Sequence, residues 1–359
     1  RRTQAGFQII DKAALRCSNL IRWKFSASTV ASKSASEELL VRLNTNGWQV
    51  LKTTSQQSRT LKIFYMLGDT ISKSGQYDIA VVDLFSGAAF IWAELVCAAL
   101  KALDKPFILV LHGGGLPDFA IKHPHRVKRL LNGTAAVVTP SQWIAQAFAH
   151  WRSNIRCIPN AIQVSAYPFR LRPCPEPRLC WLRAFHAVYQ PWLAVEVVAR
   201  LKADFPAIEL TMIGPDKRDG SLERVQELIR QHHLEDAVHI VGGVAKPEVP
   251  RWLSQGEIFL NTTNVDNTPV SVIEALACGL CVVSTNVGGI PYLLEDEADA
   301  LLVPPDDPQA MAYAVRRILT EPGLAERLSR NARAKAEKFD WTNVLNSWEE
   351  LFIQVSQAV

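Results

Sequence analysis

The residues best placed for chemistry lie in one stretch, Asp266-Asn-Thr-Pro-Val-Ser-Val-Ile-Glu274-Ala-Leu-Ala-Cys-Gly279. Thr268 suits an N-cap and Pro269 the first position of a helix. The amino end of such a helix turns unpaired N–H groups and a positive dipole end toward an anion such as a diphosphate. Pro269 removes one of those donors and a Thr268 cap occupies another, which leaves Val270 and Ser271 nearest the anion. Glu274 then falls about one and a half turns into the helix, where a carboxylate can accept two hydrogen bonds from ribose hydroxyls. Asp266, on the preceding loop with Asn267, can reach the hydroxyls of a sugar. The same spacing is also that of two ordinary surface acids.

Apolar runs of strand length alternate with helical patterns throughout the readable part of the chain, which predicts parallel βα units. Strands are expected at residues 79–83, 107–111, 135–139 and 155–158, then at 178–182, 209–213, 238–241, 258–260 and 281–284. Between the two sets lies Pro168, Pro173, Pro175 and Pro177, a linker signature. The expected organisation is a first Rossmann-like domain at residues 1–168, a second at 169–340, and a last helix at 341–359 packing back toward the first. Ligands of open parallel sheets bind beyond the carboxyl ends of the strands. His112-Gly113-Gly114-Gly115, Gly214-Pro215, Gly242-Gly243 and Gly288-Gly289 all fall at such ends, and Ser141 opens a helix there. Two crevices facing each other would make one central cleft. Residues 1–45 are less legible; Ser34-Ala-Ser-Glu37 forms a capping box, so a helix over 36–44 and a strand over 48–54 are expected.

Bulk properties narrow the class. With 359 residues, 48% apolar and 21% charged, the chain has the composition of a globular protein and material for two cores. Its charge is uneven: residues 1–170 carry 21 Lys and Arg against 9 Asp and Glu, whereas residues 171–359 carry 18 against 26. A basic first half suits an anionic partner such as an acidic membrane or charged acceptor, or reflects drift in surface composition. Within it, Lys122-His-Pro-His-Arg-Val-Lys-Arg129 is either a bilayer contact or a solvated helix face. No nucleic-acid motif accompanies the charge. Residues 79–100 are apolar but hold Asp83, Glu94 and the break Ser86-Gly87, so they read as strand, turn and helix instead of a membrane span. Residues 7–25 lack the apolar centre of a secretory signal. Of seven cysteines, Cys278 and Cys281 form a lone C-x-x-C at a helix end entering an apolar strand, the setting of buried thiols. Reduced thiols fit a cytoplasmic protein.

From about Tyr77 to Trp348 the chain resembles a family 4 retaining glycosyltransferase of the GT-B fold, an α/β architecture of two Rossmann-like domains with parallel sheets facing a cleft. The resemblance is carried by an acid, seven residues and Glu274, then Ala275-Leu-Ala-Cys-Gly279, the strand beginning at Val282 and Gly288-Gly289-Ile-Pro291. Ala300-Leu-Leu-Val-Pro-Pro-Asp306-Asp307-Pro308 and Ile158-Pro-Asn160 add to it. It implies that Glu274 binds the donor ribose, that Asp266 contacts the transferred sugar, and that Arg183 neutralises the donor diphosphate. It further implies that His112 reaches the reaction centre from the first domain and that Gly242-Gly243 hold the base. The family's lysine, five or six residues after the arginine, is replaced by Val188 and Tyr189, so His186, Tyr189 or Gln190 would share its role. The family's early Gly-Gly loop corresponds to residues 28–36, which contain no glycine. The implied co-substrate is a nucleotide-diphosphate-sugar with no further cofactor, and the implied acceptor a glycan, a lipid-linked molecule or a small molecule. With no Asp-x-Asp motif, metal-independent transfer is expected. Rival readings are a sugar-nucleotide epimerase on the same fold and a non-catalytic sugar-nucleotide-binding protein.

Overall fold

The computed structural model describes residues 19–23, 35–52 and 59–358. Residues 28–34 of the glycine-free early stretch lie outside them, as do the first 18 residues and Cys17. Two parallel six-stranded sheets form the frame. The first comprises β1 (Asn19–Trp23), β2 (Gln49–Lys52), β3 (Ile79–Leu84), β4 (Phe107–Leu111), β5 (Ala136–Thr139) and β6 (Ile155–Cys157), in the order β2-β1-β3-β4-β5-β6. The second comprises β7 (Arg178–Leu182), β8 (Glu209–Ile213), β9 (Val238–Gly242), β10 (Ile258–Asn261), β11 (Cys281–Thr285) and β12 (Ala300–Val303), in the order β12-β11-β10-β7-β8-β9. In each sheet the chain winds outward from an inner strand and then returns to its other side. The winding therefore reverses between β1 and β3, and again between β7 and β10, which is where such sheets open a crevice for ligands.

Sheets covered on both faces need strands that are apolar throughout, and all residues of β3, β4, β10 and β11 are buried. One face of the first sheet carries α2 (Arg59–Ser72), α3 (Ala88–Ala102), α4 (Leu116–Lys122), α5 (Pro124–Leu131) and α6 (Gln142–Phe148), joined around Phe90, Leu109 and Phe148. Its other face carries α1 (Ala35–Thr45) and the last helix of the chain, α14 (Trp341–Gln357), whose Trp348 and Phe352 pack with Leu39 and Trp48. The second sheet is covered on one face by α7 (Pro191–Leu201), α8 (Ser221–Gln231) and α12 (Pro308–Thr320) around Trp181 and Met212. On the other lie α9 (Val249–Gln255), α10 (Val270–Ala277), α11 (Ile290–Leu293) and the end of α13 (Leu324–Glu337).

The chain crosses between sheets twice, and the crossings are bonded to each other. Ile162 N–H donates to the Phe339 carbonyl (3.0 Å), Trp341 N–H to the Ile162 carbonyl (3.2 Å), and Val164 N–H to Asp340 Oδ2 (2.9 Å). Asp340 also caps α14 by accepting from Thr342 N–H. Glu349 of α14 accepts from Asn46 and from the Trp48 indole, both in the first half. The proline-rich linker is pinned as well: the fully buried Arg172 donates to the carbonyls of Arg170, Gly256 and Cys278 and pairs with buried Glu257. Cys278 and Cys281 are buried free thiols, each pushed up to about 12 by burial.

Candidate functional site

Arg183 is the first residue beyond β7, beside the switch point of the second sheet. Its backbone N–H donates to the Ile213 carbonyl (3.0 Å), and its guanidinium pairs with Asp266 while lying 4.5 Å from the centre of the Tyr189 ring. Burial lowers the guanidinium from its ordinary value, opposed by Tyr189 and Glu274, and an arginine so placed stays charged. Asp266 sits on the loop after β10, and the Gly288-Gly289 turn after β11 holds that loop. Gly289 N–H donates to the Asp266 carbonyl (2.8 Å), and a Cβ at Gly289 would lie 1.8 Å from the Asn267 carbonyl oxygen. Only a residue without a side chain lets the two turns approach so closely.

The start of α10 differs from the expected cap. Pro269 has ψ of 116°, an extended conformation, so it is the N-cap and the helix begins at Val270. Thr268 does not cap: its hydroxyl donates to the Pro140 carbonyl of the first half (3.1 Å), and its own carbonyl accepts from Asn160 (3.3 Å). Both α10 N–H groups expected of Val270 and Ser271 are therefore spared competition from a threonine cap. Ser141 likewise precedes its helix, which begins at Gln142, and its hydroxyl makes no capping bond.

Glu274 is 2% exposed. It accepts a hydrogen bond from the Tyr167 hydroxyl and pairs with Lys246, so its charge is balanced by one cation and one donor from two separate segments. Burial and the neighbouring carboxylate push the Tyr167 phenol well above its ordinary value, which keeps it a donor.

On the first half, His112 follows β4. Its Nε2 lies 3.1 Å from Oδ1 of buried Asp83, and its ring stacks on Phe85 with centroids 5.1 Å apart. In the neutral tautomer that donates Nε2–H to Asp83, Nδ1 is an acceptor. The glycines that follow let the halves meet: a Cβ on Gly114 would come within 2.6 Å of Val265 Cγ1.

These elements enclose a cavity of about 540 Å³, lined from the first half by Phe85, His112, Gly113, Gly114, Gly115, Asp118, Pro140 and Asn160, and from the second by Val188, Tyr189, Val265, Asp266, Asn267 and Thr268. That volume is in the range of small-molecule sites, roughly 300–1,000 Å³. Arg183 stands behind this wall, against Asp266 and Tyr189. Glu274, Ser141, Val270, Ser271, Gly242, Gly243 and His186 are not among the lining residues. His186 turns instead to a turn of its own, accepting from Val188 N–H (3.1 Å) with Asp219 3.8 Å away. Gly242 accepts from Gly214 N–H (2.8 Å) at the end of β9. The side-chain oxygens Ser141 Oγ, Asn267 Oδ1 and Ser271 Oγ are buried without a hydrogen-bond partner. Buried polar atoms are nearly always bonded in folded proteins; of these three residues Asn267 belongs to the cavity lining, where its oxygen is available to a polar ligand.

Five residues escape the sequence reading in these roles, the first being Asp83, which the sequence shows only as a charge inside an apolar run. Asp118 is signalled by its place in the first turn of α4, three residues after the last of three glycines, and Asn160 by the Ile-Pro-Asn match that carries no role. Tyr167 and Lys246 lie in loops far apart in sequence, and only folding brings them to Glu274.

Comparisons with known proteins bear on the fold and on the kind of protein that shares it. A model described as glycosyl transferases group 1 matches residues 173–335, and one described as glycosyltransferase family 4 matches residues 49–166. Each model matches less than half of the chain, one on each sheet, and the architecture they fall on is the GT-B fold. The amylovoran biosynthesis glycosyltransferase AmsK of Erwinia amylovora is 34% identical over 262 residues, covering 66% of this chain and 61% of that protein. A phosphatidylinositol N-acetylglucosaminyltransferase component of Arabidopsis thaliana is 31% identical over 171 residues, 47% of this chain and 37% of that protein. The chain thus matches from about a third to three fifths of these relatives' length. Among solved structures, a sucrose-phosphate synthase from Thermosynechococcus elongatus superposes with a TM-score of 0.79 at 18% identity, covering 96% of this chain and all of that one. HepE of Anabaena, solved with UDP and glucose, superposes at 0.76 with 15% identity, covering 93% and 98%. At such identities the likeness concerns the fold. No helix among the described residues is long and apolar enough to cross a membrane.

Proposed function

We propose that the chain moves a sugar from a nucleotide-diphosphate-sugar to an acceptor in the cleft, with retention of anomeric configuration and without a metal. The observation that carries this reading is the meeting, in one interdomain cavity at the ends of both sheets, of Asp266 with its Arg183 partner and His112 with its Asp83 partner. Arg183 and the N–H groups at the start of α10 are suited to the diphosphate, whose charge grows as the glycosidic bond breaks. Donor binding then separates Arg183 from Asp266 and frees the carboxylate for sugar hydroxyls. Glu274 takes the ribose hydroxyls, Gly242-Gly243 the base, and Val188 and Tyr189 form an apolar wall where related enzymes carry a lysine. The acceptor enters past Gly113, Gly114 and Asp118, attacking from the face the diphosphate leaves, with His112 Nδ1 placed to accept a hydrogen bond. UDP is favoured as the leaving group by the UDP complexes of HepE.

The test is a thermal-shift panel of nucleoside diphosphates followed by transfer assays with the matching sugar donors. The expected result is a shift with one diphosphate in the presence of EDTA, and a glycoside product with the donor's anomeric configuration by NMR. An inverted product removes the retaining mechanism; binding without transfer to any acceptor, at wild-type Glu274 and Asp266, favours the binding-only reading.

A further inference from the structure

Two carboxylates and two cations meet around the start of α10. Asp266 pairs with Arg183, and Glu274 with Lys246. The pairs adjoin: burial lowers the Arg183 guanidinium, and Glu274 is among the groups that oppose it. They are built differently, however. Arg183 and Asp266 are both largely buried, whereas the Lys246 side chain is 41% exposed above a buried partner. The Lys246 backbone is fixed, since the Ala245 N–H donates to Glu248 Oε2 (3.1 Å) and the Glu248 N–H to the Ala245 carbonyl (2.9 Å). Its ammonium is the part that can move, a point charge on a four-carbon stem. Ser271 stands three residues before Glu274 and therefore on the same side of α10, about 5–6 Å away between Cβ atoms. Its Oγ is buried without a hydrogen-bond partner, and so is Arg183 Nε. Both can donate to an anion.

We propose that Lys246 is a second phosphate-binding cation of the donor site, which pairs with Glu274 until ribose hydroxyls take that carboxylate and then turns to the diphosphate. The proposal deepens the donor reading and rests on it. A buried carboxylate deprived of its counter-charge is strongly destabilising, so Glu274 needs Lys246 for as long as the Tyr167 hydroxyl is its only other donor. Ribose hydroxyls satisfy the carboxylate oxygens but bring no charge. The diphosphate, set at the first turn of α10, brings more than one negative charge to within about one helical turn, 5.4 Å of rise, of Glu274. Arg183 alone leaves part of that charge unanswered, and Val188 and Tyr189 answer none of it. After the exchange both carboxylates face hydroxyls and both cations face phosphate.

The test separates this role from a structural one by removing the Glu274 charge first. Affinity for UDP is measured by calorimetry, and for uridine by ligand-observed NMR, in the wild type, Lys246→Met, Glu274→Gln and the double variant. The guanine or adenine counterparts replace these ligands if the nucleotide panel selects them. Lys246→Met is expected to weaken UDP binding about tenfold or more, the size of one charge-assisted contact. In the Glu274→Gln background, where no buried carboxylate is stranded, it is expected to weaken UDP by a similar factor, with the melting temperature of Glu274→Gln and its uridine affinity unchanged. Equal UDP affinity in Glu274→Gln and the double variant overturns the proposal and makes Lys246 a partner of Glu274 only. Equal relative losses for UDP and uridine overturn it in favour of a contact to the nucleoside. In both cases the donor reading stands. A wild type that binds no nucleoside diphosphate removes the donor reading itself, and this proposal with it.

Discussion

Glu274 is a buried carboxylate whose two neighbours, Tyr167 and Lys246, are both donors. Removing it strands a phenol and an ammonium as well as deleting the proposed ribose ligand. Charge-assisted hydrogen bonds contribute about 1.5–3 kcal/mol each, so Glu274→Ala is expected to weaken nucleotide binding at least about tenfold by calorimetry. Glu274→Gln keeps the shape and an acceptor and is expected to lose less; equal affinity in all three proteins would end the assignment. Arg183 makes a sharper case, because a planar guanidinium contacts a diphosphate in two places and an ammonium in one. Arg183→Lys keeps the charge toward Asp266, so the melting temperature is expected to change little. The turnover number is expected to fall about 100-fold, the usual effect of losing one donor to a developing anion. A fall in melting temperature with unchanged turnover would make Arg183 a structural partner of Asp266 only.

The elements show why those residues meet. The turn after β11 touches the loop after β10 backbone to backbone, so Gly289→Ala has to push the Asn267 carbonyl away and with it Asp266. The expected result is a lowered melting temperature together with lost donor binding, both read by scanning fluorimetry. Much of this layer is legible in the sequence. Continuous apolar runs such as Ile79 to Val82 and Phe107 to Leu111 can only be strands covered on both faces, and glycines following them mark strand ends near a ligand. The α10 cap is misjudged because threonine before proline is a common start signal, whereas here the Thr268 hydroxyl finds a carbonyl 128 residues away, at Pro140. Local sequence carries no trace of such a partner. For the same reason Lys246 is invisible: its role is set by the packing of the β9–α9 loop over α10. The paired crossings around Asp340 are only partly legible, as the start of a last helix.

At the scale of the whole molecule, Asp340 ties the two crossings and the returning helix into one joint. Burial works to raise its carboxyl, yet the N–H groups of Thr342 and Val164 and the Thr342 hydroxyl together hold it below the ordinary value of 3.8. A depressed carboxylate contributes stability above its unfolded pKa and loses it as the pH falls through the lower folded value. The joint is therefore expected to be intact at neutral pH and to loosen only in acid, below about pH 4. Asp340→Asn keeps the shape but not the charge, and a lost cap costs about 0.5–2 kcal/mol. The variant should melt earlier than the wild type at pH 7, and the gap should narrow toward pH 3 as the wild-type carboxylate is protonated. Contacts across the cleft, Thr268 with Pro140 and Asn160 and Tyr292 with Gln146 (2.7 Å), hold the halves together on the far side of that joint. Because the Tyr292 contact is exposed, Tyr292→Phe is expected to leave stability unchanged while increasing the radius of gyration in X-ray scattering. If both variants scatter as the wild type does, with and without UDP, the halves do not move about this joint.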